Sequence, residues 1–143
     1  MSTVLMQGDV FTDDRGKLRF VNNFDFSKVK RFYQVENHRQ GFIRAWHGHF
    51  KEGKYVYVAS GSALVGVVPL EDELGKNSQP QRFVMSAEKP QVLWIPPQHA
   101  NGFMNLTENT IIMFFSTSTL QESQGDDIRY PYDKWNIWQE DYR

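Results

Sequence analysis

Short, mostly apolar segments alternate with turn-forming residues through most of the chain. Each segment has the length of a β-strand, and glycine, proline, asparagine and serine separate one from the next. Many short strands with frequent turns predict an all-β fold, an antiparallel sandwich or barrel. The predicted strands span residues 30–35, 42–46, 54–59, 63–69, 82–85, 92–95, 103–106 and 111–116, after a hairpin that turns at residues 14–16. Segment 63–69 is almost wholly apolar, which is typical of a strand buried on both faces.

The length of 143 residues suits one folding unit. We therefore expect a single domain, 1–143, in which residues 121–143 form a C-terminal arm or a short helix. The formal net charge of −1 indicates neither a nucleic-acid partner nor a membrane partner. The absence of cysteine excludes disulfides and Cys-based zinc sites and fits a reducing compartment. Because no apolar run approaches the roughly 20 residues of a membrane span, we expect a cytoplasmic protein.

Four side chains suited to chemistry lie close together in the segment 41–61. His47 and His49 are two residues apart on a predicted strand, so they share one face. Arg44 lies three residues before His47, and strict alternation turns it to the opposite face unless a bulge or strong twist intervenes. Lys54 begins the next predicted strand. A strand that turns two imidazoles to one side is either an unusual core or a functional site.

This segment resembles the first motif of the cupins, a superfamily of small β-barrels. The residues that match the two cupin motifs are Gly41, His47, His49, Gly61, Pro96 and Asn105. Lys54 stands at the position of the metal-ligating glutamate, and Asn101 stands at that of the second-motif histidine. A protonated lysine cannot ligate a metal, so two of four ligands are lost, although His99 is a possible substitute for one. We therefore expect no metal and no cofactor.

The remaining pattern is similar to a metal-free cupin family, the dTDP-4-dehydrorhamnose 3,5-epimerases. The matching features are the turn at 13–16, Gln34, Asn37, Gly41, Arg44, His47, the strand 54–58, Gly61, the turn 96–103 and the segment 128–132. The resemblance implies a jelly-roll cupin fold and an isomerase of deoxysugar biosynthesis. It also implies a homodimer with exchanged N-terminal strands, in which Arg15 reaches the neighbour's nucleotide. The final sugar would belong to a surface polysaccharide such as an O-antigen of lipopolysaccharide.

The substrate implied by this resemblance is a nucleotide-linked 4-keto-6-deoxyhexose, whose nucleotide the sequence leaves open. The 4-keto group acidifies the hydrogens on C3 and C5, so epimerisation needs a base, an enolate stabiliser and an acid on the opposite face. His47 suits the base and Lys54 the enolate stabiliser, while Arg44 suits the diphosphate. The other expected substrate-binding residues are Gln34, Asn37, His99 and Asn101, in addition to Arg15.

Two positions depart from this family. Its acidic tyrosine aligns with Phe114, which has no proton to give. Its histidine-orienting aspartate aligns with Tyr132, and the nearest carboxylates in sequence are at 126, 127 and 133. These losses predict reaction at one carbon, C3, rather than at both. The candidates for the second acid are His49, Tyr132, His99 and a bound water.

Three other hypotheses remain open. Segment 44–49 also resembles the R-G-x-H-A-H motif of the sugar-nucleotide 3,4-ketoisomerases, in which both histidines shuttle protons. A non-catalytic sugar-binding cupin would keep Arg44 and the aromatic residues without needing a base. A metal cupin would require His47, His49 and His99 to form a facial set. The strand that begins at Lys54 and the turn at 100–103 favour the epimerase hypothesis.

Overall fold

Two five-stranded antiparallel sheets form most of the structure, a computed structural model that describes residues 2–143. The strands are β1 (Val4–Gln7), β2 (Asp9–Asp13), β3 (Gly16–Phe20), β4 (Arg31–Val35), β5 (Ile43–His49), β6 (Lys54–Ser60), β7 (Ser62–Pro69), β8 (Gln81–Ser86), β9 (Gln91–Ile95), β10 (His99–Asn105), β11 (Ile111–Ser116) and β12 (Ile128–Arg129). Sheet I has the order β1-β9-β6-β11-β4, and sheet II has the order β12-β5-β10-β7-β8. Strands β2 and β3 form a separate hairpin. The predicted antiparallel all-β fold is confirmed.

The predicted strands are all present, with their ends shifted by a few residues. The largest shift is in β10, which was expected to start at residue 103 and starts at His99. Residues His99, Ala100 and Asn101 pair with β5 on one side and β7 on the other. Polar residues and Gly102 made this stretch resemble a strand break. Pairing on both sides, which is a tertiary effect, keeps it extended.

A helix, α1 (Leu120–Gln124), follows the last long strand. Thr119 and Glu122 form a capping box at its start, since each side chain accepts a hydrogen bond from the other residue's backbone N–H. Residues 130–143 contain no helix and cross the outer face of sheet II. No helix within residues 2–143 is long and apolar enough to span a membrane.

The core has two layers, and β7 contributes to both. Ala63, Val65 and Val67 face sheet I, in a cluster with the inner residues of β6, β9 and β11. Leu64 and Val68 face the other way, against Trp46, Trp135 and Trp138. This alternation explains the wholly apolar sequence of β7, because the C-terminal residues cover its outer face.

The C-terminal residues are anchored on Trp46, which is 1% exposed. The ring centroid of Trp46 lies 5.4 Å from that of Trp135 and 5.1 Å from that of Trp138. The Trp46 indole N–H also donates to the carbonyl of Tyr132 over 3.0 Å. Gly66 leaves room for this ring, since a Cβ there would lie 2.5 Å from Trp46 Cη2. Burial of large aromatic rings holds residues 130–138 on sheet II.

A bulge in β5 decides which side chains face the space between the sheets. Asn101 pairs with His47 and Phe103 pairs with Arg44, so two residues of β5 lie opposite Gly102. The backbones approach closely here, because a Cβ on Gly102 would lie 2.5 Å from the Ala45 Cβ. The extra residue turns Arg44 to the same face as His47, which strict alternation would have prevented.

Candidate active site

A cavity of about 200 Å³ lies between the two sheets. Its lining side chains are Tyr33, Val35, Arg44, His47, Lys54, Asn101, Phe103 and Phe114. Sheet II supplies Arg44, His47, Asn101 and Phe103, and sheet I supplies the other four. The cavity therefore combines an imidazole, two cationic groups, an amide and aromatic walls, a set of groups that suits a polar sugar ring.

His47 has a carboxylate beside it, from a segment far along the chain. Strand β12 pairs with β5, and this pairing sets Arg129 opposite His47. His47 Nδ1 consequently lies 3.6 Å from Asp127 Oδ1. Arg129 Nε lies 3.2 Å from the other oxygen of Asp127. The motif alignment placed Tyr132 at the position of the aspartate that orients the histidine, whereas in the structure Asp127 is the carboxylate beside His47.

The surroundings of His47 keep its imidazole neutral. Burial, together with the positive charges of Lys54 and Arg129, lowers the pKa of His47 below its ordinary value of 6.5, and Asp127 opposes this only in part. Burial disfavours the charged form of Asp127, yet the hydrogen bond and charge of Arg129 outweigh it and lower the pKa of that carboxyl. At neutral pH the site therefore holds a neutral base next to a carboxylate, an arrangement able to accept a proton.

Lys54 lies on the opposite wall and is 7% exposed. Its ammonium lies 4.0 Å from a carboxylate oxygen of Glu52, whose side chain is fully buried. The same oxygen, Oε2, accepts a hydrogen bond of 2.8 Å from the Ser116 hydroxyl and lies 3.6 Å from the Arg31 guanidinium. A buried carboxylate paired in this way holds the lysine ammonium at the cavity.

Arg44 joins this cavity to a second one. Its Nε donates to Asn37 Oδ1 over 2.7 Å, and the Asn37 amide donates to Asn105 Oδ1 over 3.1 Å. The second cavity, of about 240 Å³, is lined by Asn37, His38, Arg39, Phe42 and Arg44. Two arginines within one open cavity form a suitable site for an anionic group next to the first cavity.

These features agree with the family comparison. The family model described as dTDP-4-dehydrorhamnose 3,5-epimerase matches residues 2–140. The chain belongs to this family. It is therefore an isomerase, a sugar-nucleotide epimerase or isomerase of the same general type.

Relatives of this family cover nearly the whole chain. The spore coat polysaccharide biosynthesis protein SpsL of Bacillus subtilis is 27% identical over 138 residues, which span 92% of this chain and 91% of SpsL. The crystal structure of a dTDP-4-dehydrorhamnose 3,5-epimerase from Sulfolobus tokodaii is 24% identical, with a TM-score of 0.76 over 94% of this chain and 81% of that one. QdtA, a sugar 3,4-ketoisomerase from Thermoanaerobacterium thermosaccharolyticum, is 20% identical, with a TM-score of 0.67 over 92% of this chain and 89% of that one. Both structures confirm the cupin fold.

Phe114, which the sequence motifs were expected to place at the family's acidic tyrosine, is 1% exposed and lies on the cavity wall. Its ring stacks on Tyr33 of the neighbouring strand, with 5.1 Å between the ring centroids and 16° between the planes. Phe114 thus keeps an aromatic wall at this position but offers no hydroxyl.

His49 and His99 lie outside the cavity lining, although both are buried. His49 Nδ1 is 2.5 Å from the Asp126 carbonyl oxygen and 3.8 Å from Glu52 Oε1. Burial and the charge of Lys54 lower the pKa of His49, against the opposing effect of Glu52. His99 Nδ1 pairs with the Pro97 carbonyl at 2.9 Å. Within residues 2–143, no group of three or more His, Cys, Asp or Glu side chains is arranged to hold a metal ion.

Three further expected site residues lie away from the cavity. Gln34 is exposed because Tyr33 and Val35, its neighbours on β4, take the inward positions. Tyr132 is 53% exposed, and its carbonyl accepts the indole N–H of both Trp46 and Trp138. Arg15 lies at the tip of the β2–β3 hairpin, where its side chain is 83% exposed and pairs with Asp13.

Two important residues were not assigned to the site from the sequence, although Asp127 was one of three carboxylates noted near position 132. Asp127 lies upstream of the expected position, and only the pairing of β12 with β5 brings it to His47. Glu52 lies in the turn 51–54, whose sequence KEGK is typical of a solvated turn. Asp126 shapes this turn, because its carboxylate accepts the backbone N–H groups of residues 50, 51 and 52. No local signal distinguishes this turn from an exposed one.

Proposed function

We propose that the protein epimerises a nucleoside-diphosphate 4-keto-6-deoxyhexose at C3, without a metal ion. The observation that carries this proposal is the position of His47, whose Nδ1 lies 3.6 Å from Asp127 Oδ1 and which faces Lys54 across the cavity. In the proposed reaction His47 takes the C3 proton, and the electron pair of the C–H bond moves to the 4-oxygen. The resulting enolate oxygen accepts a hydrogen bond from Lys54. A proton then adds to C3 from the opposite face and inverts that carbon.

Restriction to C3 rests on Phe114. In the family this position carries the acid that serves the far face of the sugar. Phenylalanine cannot donate a proton, so a donor elsewhere has to serve that face, and we propose that it reaches C3 but not C5. The second argument from sequence, the loss of the orienting aspartate, no longer applies, since Asp127 lies at 3.6 Å from His47.

The nucleotide is proposed to extend from the reacting cavity past Arg44. The guanidinium of Arg44 and the amide of Asn37 would hold a diphosphate oxygen, and Arg39 lies in the adjoining cavity. The QdtA structure contains TDP. Because of this similarity, we propose thymidine diphosphate as one nucleotide that could carry the sugar. We also propose a cytoplasmic role, in which the product supplies a deoxysugar for a surface polysaccharide such as an O-antigen.

A homodimer is proposed from exposed aromatic side chains. Phe26 and Phe32 are 60% and 65% exposed, and the Phe26 ring packs on Phe115 with 5.6 Å between centroids on the outer face of sheet I. An apolar surface of this kind usually marks a contact. Arg15, on the protruding hairpin, would then reach the neighbouring subunit's nucleotide. Sedimentation of Phe32→Glu should give a monomer where the wild-type protein gives a dimer, and a wild-type monomer would contradict the proposal.

Deuterium exchange tests the reaction directly. The protein is incubated with dTDP-4-keto-6-deoxyglucose in D₂O, and NMR follows C3, C5 and the ring configuration. We expect deuterium at C3 together with the C3 epimer, and we expect neither in His47→Asn. Deuterium at C5 as fast as at C3 would contradict the restriction to C3. Wild-type exchange no faster than in buffer alone would favour the non-catalytic sugar-binding protein, and unchanged exchange in His47→Asn would exclude His47 as the base.

The 3,4-ketoisomerase alternative is distinguished by its product. A 3-keto sugar in the same NMR spectrum would establish that reaction in place of epimerisation. It would also require His49 to contact substrate, whereas His49 lies outside the cavity lining and pairs with the Asp126 carbonyl. We therefore expect His49→Asn to retain epimerisation.

A further inference from the structure

A tyrosine lies beside the position where the acidic hydroxyl is missing. In the pairing of β4 with β11, Tyr33 is the direct partner of Phe114. Both side chains line the cavity, and their rings stack. Neighbouring strands are about 4.8 Å apart. The Tyr33 ring therefore lies one strand away from the Phe114 ring, the position at which a hydroxyl group is missing. Among the eight cavity-lining side chains given above for residues 2–143, Tyr33 alone has a hydroxyl.

Tyr33 and His47 also lie on opposite walls. Tyr33 belongs to sheet I and His47 to sheet II, with the cavity between them. The Lys54 ammonium lies 5.9 Å from the centroid of the Tyr33 ring and 5.8 Å from that of Phe114. A sugar whose 4-oxygen contacts Lys54 would therefore have the imidazole on one face and the phenol on the other. Inversion of a carbon requires this arrangement of two proton-transfer groups.

Two cationic side chains lie beside the Tyr33 ring. The Arg31 guanidinium carbon lies 5.1 Å from the centroid of the Tyr33 ring, and Lys54 approaches the same ring. Arg31 is held there by a hydrogen bond of 3.2 Å from its Nε to the Ser118 carbonyl.

We propose that Tyr33 is the second catalytic residue, the acid that protonates C3 on the face opposite His47. This inference rests on the proposed epimerase function. The phenol O–H bond breaks as the new C3–H bond forms, and the enolate electron pair supplies that bond. His47 is left protonated and Tyr33 ionised. Proton exchange with water restores both, so the net reaction is an isomerisation that consumes no other reagent.

The deciding variant is Tyr33→Phe, which removes one oxygen and keeps the stacked ring. His47 still abstracts and returns protons on its own face, so deuterium should continue to enter C3 of the substrate in D₂O. Formation of the epimer should fall by about 10²- to 10⁴-fold, the usual contribution of a positioned general acid. Tyr57→Phe is the matched control, since Tyr57 lies in the aromatic cavity on the outer face of sheet I, and it should keep the wild-type rate.

A double variant tests the geometry. Tyr33→Phe with Phe114→Tyr returns a hydroxyl to the neighbouring strand, and we expect it to regain epimer formation by at least tenfold over Tyr33→Phe. Thermal unfolding of each variant checks that the fold is intact.

Three results would overturn the assignment. Epimer formation at the wild-type rate in Tyr33→Phe would exclude Tyr33 as the acid. Loss of both C3 exchange and epimer in a folded Tyr33→Phe would make it a binding residue instead. Failure of the double variant to regain epimer formation would contradict the idea that the Tyr33 hydroxyl replaces a hydroxyl at position 114. If the wild-type protein forms no epimer, the proposed function itself fails, which is a distinct outcome.

Discussion

Replacing Asp127 with asparagine tests the His47–Asp127 pair most directly. The substitution keeps the shape of the side chain and removes its charge. The two side chains are 33% and 28% exposed, and their nearest atoms are 3.6 Å apart. Because His47 becomes positively charged only as it takes the substrate proton, the attraction to Asp127 is greater in the transition state than in the ground state. The variant should therefore lose kcat.

The size of the loss follows from the distance. Opposite unit charges about 4 Å apart attract by about 1 kcal/mol in water and about 4 kcal/mol at the effective dielectric constant of a site near a protein surface. A partly exposed pair falls between these limits. Since each 1.36 kcal/mol is tenfold in rate, kcat should fall between about fivefold and about a thousandfold.

The pH dependence gives a second, independent sign. Asp127 raises the pKa of His47, so its removal should lower that pKa further below 6.5. The acid limb of kcat/KM for C3 exchange should then move to lower pH while kcat itself falls. Asp133→Asn, an exposed carboxylate in the same part of the chain, is the control. A wild-type kcat in Asp127→Asn, or an acid limb that moves to higher pH, would refute the reasoning.

The other predictions concern stability. Glu52→Gln should cost about 3–5 kcal/mol in the free energy of unfolding, because it leaves buried cations without a partner; denaturant titration measures this, with exposed Glu88→Gln as the control. Gly102→Ala should cost about 1–3 kcal/mol through the clash with β5, and Gly125→Ala should cost less, because a Cβ there meets only the Glu122 carbonyl oxygen, at 3.9 Å. The Tm should fall as the pH drops below 6.5, since the fold lowers the pKa of His47 and unfolding lets it take a proton. The fall should be smaller in His47→Asn, and an equal pH dependence of Tm in the two proteins would contradict this.

The strands were predictable because their signals are local. Alternating apolar residues and turn residues mark most of the strand positions within a window of a few residues. The segment 41–61 also showed that Arg44 and His47 would share a face only through a bulge, and β5 has that bulge opposite Gly102. The resemblance of motifs then indicated the family, which the match over residues 2–140 confirms.

The remaining features depend on contacts between distant residues. Asp127 reaches His47 through the pairing of β12 with β5, and nothing near residue 127 announces that pairing. Glu52 is buried because Ser116 and Arg31, from two other strands, approach the same carboxylate oxygen. Tyr33 was counted only as part of a strand, and its place in the cavity depends on the direction of β4 within sheet I. The sequence indicated which side chains are chemically capable, but not which side chains lie next to one another in the fold.

The anchoring of the C-terminal residues on Trp46 bears on how the molecule matures. Strands β1 to β11 end at Ser116, so a growing chain contains both walls of the cavity before residues 126–138 leave the ribosome. His47 at that moment has no carboxylate beside it, and the outer face of β7 is uncovered. When residues 126–138 pack on sheet II, they cover the apolar outer face of β7 and place Asp127 beside His47. Burial of Trp135 and Trp138 and the placement of Asp127 beside His47 therefore both depend on the docking of residues 126–138.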